Sequence, residues 1–157
     1  MTQTITIAPV QKRIRVAASQ ARAFEVFTAG ISRWWPGRAN IGATPLRNST
    51  IEPRVGGLWF QVGEDGTRTT TGRVKLWDPP HRFVVSWDIN QHWKPDSSVG
   101  SEVEVAFIAD GPDATIVELE HRNFEVLGAE GGAKMRGDVD GGWPGILEDF
   151  KKAVEGA

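Results

Sequence analysis

The side chain best placed for acid–base chemistry is His121, near the end of an alternating segment at residues 114–122. Val117 and Leu119 share its parity, so on an antiparallel strand the three side chains face the same buried side. A buried imidazole can act as a general acid or base, or can anchor a polar group of a ligand. A strand-end histidine bonded to the backbone is the commoner arrangement, and no inward-facing carboxylate accompanies this one. We therefore assign no catalytic residue and keep His121 as the single candidate.

Other patterns that carry chemistry are missing from the sequence. The chain has no cysteine, which excludes disulfides, thiol catalysis and thiolate metal sites. Its other histidines, His81 and His92, do not show the spacing of a zinc site. Ser86 and Ser101 have no catalytic-triad context, and no glycine-rich phosphate loop or dinucleotide-binding motif is present. We expect no metal and no cofactor.

The length, net charge and hydropathy of the chain exclude several classes of protein. Its 157 residues fit one domain, expected over residues 1–157, and its formal net charge of −2 gives no basic field for nucleic acid. No apolar run approaches the roughly 20 residues that a membrane-spanning helix needs. The first residues lack the basic and apolar regions of a secretory signal, so we expect a cytoplasmic protein.

Most of the chain alternates between apolar and polar residues, which predicts β-strands. The predicted strands lie at residues 10–16, 46–52, 58–62, 67–77, 82–88, 102–108 and 114–122. Short turns separate most of them, so neighbouring strands should pair antiparallel in a meander. On the third strand Phe60 shares the parity of Leu58 and Val62 and is expected to face inward. On the fourth strand Leu76 shares the parity of Val74.

The last two strands predict one buried and one wet face. The carboxylates on the wet face are Glu102, Glu104, Glu118 and Glu120. A solvated sheet face is the ordinary interpretation of such residues, and an acidic stripe for a protein partner is the alternative.

Two regions carry helical spacing. Ser19 is a suitable N-cap for a short helix at 20–28, and a second short turn through Trp34 and Trp35 follows it. Near the C-terminus the large apolar residues recur at helical spacing, namely at Trp143, Ile146, Leu147, Phe150 and Val154. The residues alone begin this helix at Trp143, with Pro144 in the first turn, where a missing N–H costs little. Its apolar stripe should cover the apolar face of the sheet.

Several sequence motifs occur at fixed places within this order of elements. They are Phe24-Glu-Val-Phe27, Trp34-Trp35-Pro36, Glu52-Pro-Arg-Val-Gly56-Gly57-Leu-Trp59, Gly72-Arg-Val-Lys-Leu-Trp77-Asp-Pro-Pro80, Phe83-Val-Val-Ser-Trp87, the glutamate-rich strand at 102–107, Thr115-Ile-Val-Glu-Leu-Glu-His121 and Gly142-Trp143-Pro…Leu147. From Val16 to the C-terminus the chain resembles the START/Bet v-like (SRPBCC) superfamily, and within it the activator of heat shock protein 90 ATPase homologue-like family.

The resemblance implies an α+β helix-grip fold, in which a curved antiparallel seven-stranded sheet wraps around a long C-terminal helix and two short helices follow strand 1. It implies that the last helix begins nearer to Ala133 than to Trp143, with Pro144 inside the helix. It also implies that an apolar or amphipathic small molecule binds between sheet and helix. Some members of the superfamily catalyse cyclisation, hydration or decarboxylation, and the family name comes from a chaperone activator.

Three hypotheses follow. The first is a module that binds an apolar, aromatic or lipid-like ligand, with walls at Phe60, Trp87, Val105, Phe107, Leu119, His121, Trp143 and Leu147. Arg73 is an alternative polar anchor if its strand faces the other way. The second is a cyclase- or lyase-like enzyme that uses His121. The third is a chaperone-associated protein that uses the outer sheet face and the loop at 90–100, and the chain is expected to be a monomer or a homodimer. The seven tryptophans could line a pocket or fill the core, and the sequence leaves both open.

Overall fold

The computed structural model describes residues 6–39, 41–42 and 44–156. In chain order the elements are β1 (Val10–Val16), α1 (Gln20–Thr28), short 3-10 turns at Ile31–Arg33 and Gly37–Ala39, β2 (Leu46–Ile51), β3 (Leu58–Gly63), β4 (Arg68–Asp78), β5 (Arg82–Trp87), β6 (Ser101–Ala109), β7 (Thr115–Arg122), a 3-10 turn at Phe124–Leu127, and α2 (Gly128–Glu155). The alternating segments are therefore strands, close to the bounds that their patterns predict.

The strands form one antiparallel seven-stranded sheet within the described residues, in the order β1-β7-β6-β5-β4-β3-β2. Strands β2 to β7 pair with their neighbours in sequence, while β1 closes the order beside β7, with Val10 opposite His121. The sheet curls around α2, whose apolar stripe packs on its inner face. The predicted α+β helix-grip fold is confirmed.

The short helix α1 closes one end of the space between sheet and α2. Ser19 caps it, since its hydroxyl accepts a hydrogen bond from the backbone N–H of Arg22 at 3.2 Å. Phe27 on its buried face packs against Phe150 of α2, with ring centroids 4.9 Å apart. The indole of Trp34 donates to the Val26 carbonyl at 2.9 Å, which folds the following turn back onto the helix.

The long helix α2 has 28 residues and begins at Gly128. A start at Trp143 is wrong by about four turns, whereas the start implied by the resemblance, nearer to Ala133 than to Trp143 with Pro144 inside the helix, is confirmed. Met135 and Val139 are buried and extend the stripe upstream of Trp143 at four-residue spacing. Several glycines on this half are poor helix residues, but packing of the buried stripe outweighs their intrinsic preference.

The facing of β3 differs from the prediction. Trp59 and Gln61 point into the core, whereas Phe60 lies on the outer face beneath the guanidinium of Arg68, whose central carbon is 3.5 Å from the ring centroid. Apolar residues occupy both parities of this strand, so alternation alone could not choose the inner face. The expected inward position of Phe60 is therefore wrong.

A shift in the register of β4 against β5 also changes which of its side chains face the core. Its register shifts between Val74 and Leu76 against β5, so that Trp77 pairs with Phe83. The ring of Trp77 lies 6.0 Å from that of Phe83. A bulge moves the residues beyond it to the opposite face, which places Trp77 rather than Leu76 toward the core.

Candidate ligand-binding site

Most of the space between sheet and α2 is filled by aromatic rings. Phe27, Trp34 and Phe150 form a cluster with centroids 4.9 to 5.3 Å apart. Toward the sheet the remaining gap, lined in part by Val105 and Trp59, is only about 10 Å³. A gap of this size is at the lower limit for a single water molecule. This part of the interior is a close-packed core.

A cavity of about 460 Å³ lies at the other end of the space, open on one side. Its lining residues are Ala39, Ile41, Trp87, Trp93, Asp138, Val139, Gly142, Trp143 and Ile146. They come from the segment after α1, the end of β5, the loop that follows β5, and the middle of α2. The volume falls within the range of about 300–1,000 Å³ that small-molecule sites occupy.

Three tryptophans give the cavity its character. Trp87 and Trp143 lie 5.8 Å apart between ring centroids, at an interplanar angle of 59°. Trp93 meets Trp87 edge to face at 6.1 Å and 89°. Indole rings offer large flat apolar faces, so these walls suit a flat apolar molecule.

Trp93 holds its place at the mouth of the cavity through a carboxylate on α2. Its indole N–H donates to Oδ2 of Asp138 at 3.0 Å, and Lys134 donates to the same oxygen at 2.8 Å. The hydrogen bond from Lys134, and to a smaller extent the one from Trp93, holds the pKa of Asp138 below its usual range. The backbone of Trp93 has φ +59°, a left-handed conformation that is strained for a bulky residue.

The base of the loop that carries Trp93 is held by Asp88, a buried carboxylate. Its oxygens accept from the Ser86 hydroxyl and from the Gly100 backbone N–H, each at 3.1 Å. Arg73, on the outer face, lies 3.9 Å away. Burial raises the pKa of Asp88, against the lowering effect of those hydrogen bonds. Arg73 therefore belongs to the outer surface, as its predicted parity indicates.

His121 lies inside the core, beside the cavity rather than in its lining. Its Nδ1 accepts a hydrogen bond from the indole N–H of Trp143 at 3.1 Å. Because an indole nitrogen can only donate, Nδ1 is the unprotonated nitrogen and Nε2 carries the hydrogen. Burial lowers the pKa of His121 to about 3, so the ring is neutral. Its one basic lone pair is occupied, which leaves no free base in this arrangement.

The eight predicted wall residues separate into three groups. Trp87 and Trp143 line the cavity, and His121 stands behind them. Phe60 is on the outer face. The remaining four, which are Val105, Phe107, Leu119 and Leu147, are buried in the core without lining the cavity.

Sequence reasoning missed several lining residues. Trp93 sits in a segment with no periodicity, and Asp138 and Val139 lie upstream of Trp143, where the residues alone begin the helix. Ile146 belongs to the predicted apolar stripe, but of the two neighbours only Leu147 is among the predicted wall residues. A helix that starts nearer to Ala133, as the resemblance implies, includes these α2 residues, whereas nothing local marks Trp93.

Three of the four carboxylates predicted on the outer sheet face, Glu102, Glu104 and Glu120, are paired with cations. Arg122 donates to Glu102, Glu104 and Glu120, at N–O distances of 3.2, 2.6 and 2.9 Å. Lys75 adds a second contact to Glu102 at 2.9 Å. This face is a mixed-charge network rather than an open acidic stripe, so it gives little support to an acidic docking surface.

Neither a metal centre nor a membrane span is found in the part of the chain that the structure describes. No group of three or more histidines or carboxylates there could hold a metal ion. None of the described helices is long and apolar enough to cross a bilayer.

Comparison with known proteins gives one family and several similar structures. A family model described as activator of Hsp90 ATPase homolog 1-like protein matches residues 17–155. A structure of Txn09, an anthrahydroquino-γ-pyrone synthase, is 38% identical with a TM-score of 0.66, over 93% of this chain and 96% of that chain. CalC from Micromonospora echinospora, a self-sacrificing resistance protein, is 27% identical with a TM-score of 0.61, over 93% of each chain.

More distant structures share the fold alone. The Aha1 dimer from Colwellia psychrerythraea is 16% identical with a TM-score of 0.65, over 95% of this chain and 97% of that chain. No curated protein matches the sequence.

Proposed function

Because the chain belongs to the activator of Hsp90 ATPase homolog 1-like family, we propose that it binds a flat, polycyclic aromatic small molecule in its cavity. The observation that carries this proposal is the space of about 460 Å³ walled by Trp87, Trp93 and Trp143. Members of the wider helix-grip superfamily use the same region, between sheet and C-terminal helix, for apolar ligands.

The chemistry of the walls supports an aromatic ligand over a charged one. Among the described lining residues only Asp138 is ionisable, and its carboxylate already binds Lys134 and Trp93. An aromatic ring that stacks on an indole gains roughly 0.5–1.5 kcal/mol beyond the area it buries. The name of the relative Txn09 also places a polycyclic aromatic compound in its reaction.

The proposal is tested by closing the cavity without unfolding the helix. Gly142 lines the cavity, and a β-carbon built there meets no atom within 4 Å. Gly137 is equally open but lies outside the lining, which makes it a matched control. Replacing either glycine by leucine should stabilise the helix, by at most about 1 kcal/mol.

The measurement is quenching of tryptophan fluorescence by 2-(hydroxymethyl)anthracene. We expect saturable binding to the wild type and to Gly137→Leu, and loss of binding in Gly142→Leu. Equal binding by both variants would place the ligand elsewhere. Absence of binding by the wild type would reject the proposal.

A second candidate function is ring closure of an aromatic substrate, favoured by the 38% identity with a pyrone synthase over nearly the whole chain. The Nδ1 lone pair of His121 is occupied, and Oδ2 of Asp138 accepts two hydrogen bonds, so neither atom is available as a base. Catalysis would then rest on holding the substrate in a reactive conformation and excluding water.

This candidate makes a separate prediction about which variants lose activity. With an anthrahydroquinone that carries an open unsaturated side chain, product formation should stop in Gly142→Leu and persist in His121→Asn. Loss of turnover in folded His121→Asn would instead assign an acid–base role to the histidine. A rate no faster than in buffer would reject the enzymatic function and leave the binding function in place.

A further inference from the structure

The indole N–H of Trp87 is buried without an acceptor, although its ring forms part of the cavity wall. The residue is 4% exposed, and Nε1 has no hydrogen-bond partner among the described residues. About nine in ten or more buried polar groups in proteins are paired. An unpaired N–H on a residue of the cavity wall is therefore a candidate donor to an acceptor from outside the protein, and because Nε1 itself is buried, the contact requires a small shift of the indole toward the cavity.

The rings that surround Trp87 offer no acceptor of their own. Trp59, Trp93 and Trp143 each carry a donor-only nitrogen that is already bonded, to Ser49, Asp138 and His121 respectively. His121 is 5.1 Å from Trp87 between centroids. Its Nδ1 is occupied and its Nε2 is a second donor, also without a partner in the described part of the chain.

We propose that the ligand carries a carbonyl oxygen, as a ketone or quinone does, which accepts a hydrogen bond from the indole N–H of Trp87. The inference rests on the proposed binding function and narrows its ligand class. A conjugated carbonyl oxygen is an acceptor without a hydrogen to donate, and it lies in the plane of a fused ring system. It therefore complements a wall of indole faces in which Trp87 carries an unused donor.

The test compares two ligands that differ only at the carbonyls, 2-(hydroxymethyl)anthraquinone and 2-(hydroxymethyl)anthracene. A neutral hydrogen bond corresponds to about 2–12-fold in affinity. We expect the wild type to prefer the quinone by a factor in this range. Trp87→Phe keeps an aromatic ring but removes the donor, so it should abolish the preference while changing anthracene affinity by less than about 2-fold.

Trp35→Phe is the matched control. The N–H of Trp35 is also buried and unpaired, but the ring lies in the filled core rather than in the cavity lining. This variant should keep the preference for the quinone. Equal loss of preference in both variants would attribute the effect to repacking and overturn the assignment to Trp87.

Other results separate this inference from the proposed function. Equal affinity of the wild type for both ligands, or equal weakening of both by Trp87→Phe, overturns the carbonyl contact and leaves aromatic binding intact. Binding of neither ligand overturns both. If Trp87→Phe does not fold, the indole N–H resonance of Trp87 in the wild type decides the question. It should move downfield with the quinone and not with the anthracene, and an identical response to both would refute the contact.

Discussion

Burial of His121 predicts a loss of stability as the pH falls from 7 to 5. The pKa of this histidine is about 3 in the folded protein, below its ordinary value of 6.5, because burial penalises the charged ring. Below pH 6.5 the unfolded chain takes up a proton that the folded chain does not accept until about pH 3. Protonation therefore stabilises the unfolded state, but not the folded state, over this pH range. As a result, the free energy of unfolding decreases as the pH falls.

The expected size follows from the two pKa values. Between pH 7 and pH 5 the histidine should contribute a loss of about 2 kcal/mol to the free energy of unfolding. This figure barely depends on the folded value, since a group with a pKa well below 5 stays neutral at both pH values. The effect is a substantial share of the ~5–15 kcal/mol that stabilises a typical domain.

Urea unfolding of the wild type and of His121→Asn at pH 5, 6 and 7 measures this contribution. The asparagine side chain does not titrate, and its amide oxygen can still accept the hydrogen bond from Trp143. Carboxylates elsewhere act equally on both proteins, so they cancel in the difference. His92→Asn, at an exposed position in the loop after β5, is the control and should leave the pH dependence of the wild type unchanged.

The reasoning fails if the wild type and His121→Asn lose the same stability between pH 7 and pH 5. It also fails if His92→Asn removes the pH dependence. An imidazole resonance of His121 that titrates near pH 6 in the folded protein would show directly that burial does not suppress its protonation.

Three further predictions concern the core, the sheet and the mouth of the cavity. Leu147→Ala should cost about 2–5 kcal/mol in urea unfolding, yet leave the anthracene affinity of the folded variant unchanged, because Leu147 does not line the cavity. Gly72→Ala should cost about 3 kcal/mol or more by the same assay, since its methyl group would overlap the carbonyl oxygen of Ser86 on the neighbouring strand. Asp138→Ala should raise hydrogen exchange in the loop at 90–100 and weaken ligand binding. Asp138→Asn keeps an acceptor for Trp93, so its hydrogen exchange and ligand affinity should match those of the wild type. Equal behaviour of the two variants would show that the hydrogen bond to Trp93 does not hold this loop.

The alternation of the sequence determined much of the sheet by itself. Clean two-residue periodicity in the last two strands placed Val117, Leu119 and His121 on the buried face, where the structure has them. Short turns between strands require antiparallel pairing of neighbours, which is the order observed. These features could be predicted because strand facing and hairpin connection depend on residues close together in the chain.

The facing of β3 and the length of α2 depended on the tertiary structure. Phe60 and Trp59 are both large and apolar, and only packing against Trp35 and Trp87, which are distant in sequence, selects Trp59 for the core. The first half of α2 is rich in glycine and is stabilised by burial of Met135 and Val139. Such contacts join segments distant in sequence, so local preference could not reveal them.

The cavity was the least predictable feature. Its walls come from four separate segments, and its volume is the space that their side chains leave when the core has packed. The sequence supplied seven tryptophans but did not distinguish those that fill the core from those that line a pocket. Trp34 and Trp59 fill the core, while Trp87, Trp93 and Trp143 line the cavity. The size of a cavity depends on where side chains from distant segments come to lie, so it is determined only when the whole chain has folded.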